Sequence, residues 1–131
     1  MKIFRAKEFT ASKAWGALDI VNMRGIATRL HWTDQPYKWH TNDEDEVFVV
    51  LDGSVEMHFK EGGEIQVVHL GVGDIFCASI GTEHVAHPQG PAGILVVETE
   101  GCVQQLRTGG PHQEIRHETH SCSVASCRRG A

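Results

Sequence analysis

Two stretches of this 131-residue chain carry side chains that could work together chemically. In WHTNDEDEVFVVLDG, His40, Asn42 and Glu46 precede Gly53; in GDIFCASIGTEHVAH, His84 follows Gly73 and Gly81. On an extended strand residues 38, 40 and 42 alternate onto one side, so Lys38, His40 and Asn42 are expected to point the same way. An acidic turn, Asp43 to Asp45, then delivers Glu46 to the neighbouring strand. Two imidazoles and one carboxylate with open positions suit a non-haem iron centre, or a divalent ion acting as a Lewis acid. Mn, Ni, Co and Zn accept the same donors, so such a set, where it converges, suits a divalent transition metal without choosing one.

These stretches resemble the two motifs of the cupin superfamily, G-x5-H-x-H-x(3,4)-E-x6-G and G-x5-P-x-G-x2-H-x3-N. His40, Glu46 and Gly53 match the first; Gly73, Gly81 and His84 match the second. The resemblance spans about residues 25 to 100 and implies an all-β fold, the double-stranded β-helix or jelly-roll barrel. It also implies a metal held inside the barrel by His40, Glu46 and His84, with Asn42 as a weak fourth ligand. Asp34, Asn42, Ser79 and Pro88 depart from the motifs. Only Asn42 touches the implied metal, and an amide oxygen is a poorer ligand than imidazole. The competing reading is a barrel that has lost its metal, with His40 and His84 satisfied by hydrogen bonds. Oxygenase, isomerase and lyase chemistry are all compatible with the resemblance, as is a ligand-binding or sensory barrel without turnover.

The elements that must position these residues read as short strands between glycine-containing turns. They are expected at 25–33, 37–41, 47–51, 54–60, 64–70, 75–78, 84–87, 93–98 and 103–107, with 9–18 either a short helix or an edge strand. Asp52-Gly53 predicts a two-residue hairpin in which Val50 faces Val55, Phe48 faces Met57 and Glu46 faces Phe59. Glu46 then stands at the rim of an apolar face. Phe48, Val50, Val55, Met57 and Phe59 would line a pocket for a small organic molecule, with Lys38 at its mouth. Val47, Val49 and Leu51 leave the other face apolar, from which a homodimer is expected. His58 and His87 read as outward-facing surface residues, Arg29 and His31 share one strand face, and Asp43 could orient His40.

Composition bounds the rest. The length fits one domain, a barrel over 1–107 followed by a turn-rich tail over 108–131 that contains His117, His120, Cys122 and Cys127. Twelve basic against 17 acidic side chains leave a net charge of −5 and no basic stripe, so nucleic acid is not an expected partner. The longest apolar runs are far short of the roughly 20 residues that span a bilayer, and no membrane association is expected. The N-terminus lacks a secretory pattern, which gives a cytoplasmic expectation. Cys77 and Cys102 lie in apolar segments and read as small core hydrophobes, with no disulfide framework.

Overall fold

Alternation of apolar and polar residues with period two builds this molecule, because each strand must put one side into a shared interior. The computed structural model describes residues 1–107 and the backbone of 116–117. The remainder of the 108–131 tail, with His120, Cys122 and Cys127, lies outside the described residues. After a 3₁₀ turn at Ala6–Glu8 come β1 (Gly16–Met23), β2 (Ile26–Thr33), β3 (His40–Asn42), β4 (Glu46–Asp52), β5 (Val55–Glu61) and β6 (Glu64–Leu70). They are followed by β7 (Ile75–Ala78), β8 (His84–Pro88), β9 (Ala92–Thr99), β10 (Gln104–Leu106) and β11 (Arg116–His117). Two antiparallel sheets result, ordered β1-β2-β9-β4-β7 and β11-β10-β3-β8-β5-β6. Among the described residues no helix is long and apolar enough to cross a membrane.

Cross-strand register sorts the interior into layers, since directly opposite residues share a face. In the first sheet Arg29, Val96, Phe48 and Phe76 form one row, and His31, Ile94 and Val50 the next. In the second, Met57 lies between Ala86 and Val68, and Val55 between Pro88 and Leu70. Phe48, Val50, Val55, Met57, Ile94 and Val96 from both sheets meet in one buried core. The layer beyond that core is polar: Glu46 and Glu98 are paired in the first sheet, His40 and His84 in the second. The two histidines and two acids therefore lie next to the apolar core, while Arg29 and His31 are buried polar residues within its rows.

The hairpin expected at Asp52-Gly53 does not form. β4 is flanked by β9 and β7, and β5 by β6 and β8, so the two strands lie in different sheets. Gly53 serves the crossing between sheets instead. It sits at φ 75, and a Cβ there would lie 2.4 Å from the Pro91 carbonyl oxygen. Gly53→Ala combines a left-handed backbone penalty with that backbone clash, and a loss of about 2 kcal/mol or more in urea unfolding is expected. The two-residue hairpins are elsewhere. Arg24-Gly25 joins β1 to β2 with φ 54 and 87, and Gly62-Gly63 joins β5 to β6 with φ 63 and 82, both with the two positive φ values of a type I′ turn. The ambiguous 9–18 segment contributes the start of edge strand β1. Cys77 faces solvent rather than the core. Cys102 is buried as expected but disulfide-bonded.

Candidate metal centre

β3 and β8 pair through His40 and His84, so both rings enter the interior side by side, with centroids 4.2 Å apart. Glu46, the first residue of β4, reaches them from the opposite sheet. All three side chains are buried, and a ligand atom from each lies within 4.8 Å of the others. That group could hold a metal ion.

The hydrogen bonds decide which nitrogens are available. His40 Nδ1 lies 2.7 Å from the Lys38 carbonyl and His84 Nδ1 lies 2.8 Å from the Thr82 carbonyl. A carbonyl only accepts, so each Nδ1 carries a proton and donates it, and in the neutral ring Nε2 keeps its lone pair. This arrangement fixes ring orientation and tautomer, as metal-ligating histidines require. Burial, reinforced by His84, pushes His40 well below the ordinary histidine range and keeps it neutral. His84 Nε2 lies 3.2 Å from Glu46 Oε1. Two electron-rich atoms at that distance need a proton or a cation between them.

Asn42 shares the inner face with His40 and donates from Nδ2 to Glu46 Oε1 at 3.0 Å. Its amide nitrogen is thus committed to positioning the carboxylate, and only Oδ1 is left to face an ion. His40 Nε2, Asn42 Oδ1 and Glu46 Oε2 are buried without a hydrogen-bond partner. Buried polar atoms are ordinarily satisfied, so an imidazole nitrogen, an amide oxygen and a carboxylate oxygen left open together fit a divalent ion.

Glu98 lies outside both sequence motifs. It is buried on β9 directly opposite Glu46. Burial first, and the Glu46 charge second, push its carboxyl up to about 10 against a smaller opposing pull from Arg29, so it is protonated at neutral pH. Its signal was available in GILVVETE, where Ile94, Val96 and Glu98 alternate and the last must follow the first two inward. Gln104, opposite Asn42, accepts a hydrogen bond from the Tyr37 hydroxyl at 2.9 Å, and Tyr37 packs edge-on to His40.

Of the residues expected to line a pocket, Phe48, Val50, Val55 and Met57 are fully buried in the packed core. Phe59 is half-buried opposite His84 and packs at a tilt of 56° against Phe76, which in turn lies 6.0 Å from the His84 ring. Lys38 is exposed, and its contribution is the carbonyl that orients His40. Asp43 receives a backbone hydrogen bond from Val103 rather than touching His40. A depression of about 370 Å³ is bordered by Thr41, Asn42, Asp43, Gly81, Val103, Gln105 and Arg107, and none of His40, Glu46 and His84 lines it. His31 is buried apart from the centre, with Nδ1 donating to the Trp15 carbonyl at 3.2 Å.

No protein-family model matches the sequence, and no curated protein matches it. Solved structures do. A cupin-2 domain protein from Shewanella frigidimarina superposes with a TM-score of 0.62 at 24% identity, covering 69% of this chain and 85% of that one. A double-stranded β-helix protein from Klebsiella pneumoniae gives 0.60 at 18% identity, over 90% of this chain and 99% of that one. Hydroquinone 1,2-dioxygenase PnpCD, solved with Cd²⁺ and 4-hydroxybenzonitrile, gives 0.59 at 20% identity, over 69% of this chain and 67% of that one. With two antiparallel sheets closed over one interior and these neighbours in agreement, the chain has the fold of the cupins.

Proposed function

We propose that this chain is a small metal-dependent cupin in which His40, Glu46 and His84 hold one divalent transition metal and a small organic molecule is bound against it and transformed. The carrying observation is the pair of buried imidazoles, each locked through Nδ1 to a backbone carbonyl, with Nε2 turned toward a carboxylate. When bound, the ion supplies Lewis acidity and, if redox-active, a route for electrons. The chain's own groups do the rest. Asn42 holds one oxygen of Glu46 and leaves the other open. Phe59 and Phe76 keep water from the His84 side. A similarly folded dioxygenase solved with Cd²⁺ and an aromatic nitrile supports the reading that such a barrel can pair an ion with a small molecule.

Tag-free protein loaded in turn with Fe(II), Mn(II), Co(II), Ni(II) or Zn(II) and incubated with a panel of small carboxylic acids and phenols tests this reading. Consumption of a panel member that depends on the metal and disappears in His84→Gln is expected. Asn42 in place of a second imidazole favours a different reading, a ligand-binding barrel without turnover. Stabilisation by a panel member that ignores both metal and His84→Gln, with no metal-dependent consumption of any member, would favour that reading and overturn the first.

A further inference from the structure

The outer face of the second sheet carries a separate histidine cluster that the buried centre does not use. Glu56 on β5 stands directly opposite His69 on β6 and His87 on β8, so three neighbouring strands place these side chains in one row on the solvent side. His58, two residues on and on the same face, brings its ring to 4.2 Å from the His87 ring, tilted by 41°. Its Nε2 is buried without a hydrogen-bond partner and lies 3.5 Å from Glu56 Oε1. We propose that Glu56, His58 and His87, joined by His69, form a second transition-metal site that clasps β5, β6 and β8 on the outside of the barrel.

The donor chemistry fits a borderline ion such as Zn(II): imidazoles plus one carboxylate, with a position left for water. Tetrahedral ligation at about 2.1 Å places two nitrogens roughly 3.4 Å apart, and the His58 and His87 ring centroids lie 4.2 Å apart. Burial and the His58 neighbour lower the His87 pKa, leaving a lone pair available for an ion. The nearby cation does not compete for Glu56, because Lys60 Nζ lies 3.2 Å from Glu83 and over the Trp39 ring. The site also has a structural use. β6 is an edge strand whose outer side shows Ile65 and Val67, and an ion bound by His69 would tie that edge to the strands beside it.

This inference is independent of the buried centre. In a calorimetric titration of Zn(II) into the tag-free full chain, His58→Gln/His87→Gln is expected to bind one equivalent fewer than wild type, whereas His84→Gln keeps that equivalent. Zn(II) should also shift the imidazole ¹⁵N signals of His58 and His87 in the wild type. Both substitutions are at half-exposed positions, and an unchanged melting temperature of the metal-free double variant would show that the fold is intact. Equal stoichiometry in the double variant and wild type, or imidazole signals that ignore Zn(II), would overturn the site while leaving the buried centre to its own test.

Discussion

His84→Ala is expected to weaken binding of a divalent transition metal at the barrel centre by at least about 100-fold, above the 10- to 100-fold lost when only a supporting partner is removed. The size follows from what leaves with the ring: one of two nitrogens held in ligating geometry, and the contact 3.2 Å from Glu46 Oε1. Glu46 would then face a void, so some loss of stability accompanies the loss of affinity. His84→Gln separates the effects, because its amide fills most of the space without supplying an imidazole. Competition against a chelator of known affinity measures both variants, and a Gln variant that binds as tightly as wild type would remove His84 from the ligand set.

Metal-stripped wild-type protein is expected to lose about 3 kcal/mol of stability between pH 6.5 and pH 4 through His31 alone. His31 is fully buried beneath Trp15, and that burial lowers its pKa to about 4 from 6.5, outweighing the stabilising bond to the Trp15 carbonyl. In this window the unfolded chain takes up a proton that the native ring refuses, so stability is complete above pH 6.5 and falls as pH drops through it. His40, also lowered, adds to the fall in the same direction. His31→Gln keeps a side-chain donor for Trp15 but cannot titrate. Urea midpoints recorded across the window should therefore show a shallower pH slope in this variant, and identical slopes would refute the assignment.

The strands and their inward faces were legible because alternation does not depend on which strand lies alongside. Phe48, Val50, Val55 and Met57 are inward as expected, although their expected pairing is absent and two sheets rather than one hairpin bring them together. The turn at Arg24-Gly25 was hidden because arginine seldom takes the φ of 54 it adopts here, and with it went most of β1. The inward direction expected for Lys38 rests on alternation extended backwards from His40. The strand begins only at His40, and the Tyr37 amide is bonded to the Ala86 carbonyl, so parity does not carry across that segment. At the centre the motif spacing brought His40, Glu46 and His84 to one point. Glu98 belongs to no motif, and only the β4–β9 register puts it against Glu46.

Crystals of tag-free protein grown with Co(II) and measured on both sides of the cobalt absorption edge give the most direct test. An anomalous peak is expected inside the barrel, about 2.0–2.2 Å from His40 Nε2, His84 Nε2 and a Glu46 oxygen. A fully occupied crystal lattice of folded protein in which those three atoms surround no anomalous density, at cobalt concentrations that saturate binding in solution, would contradict the account.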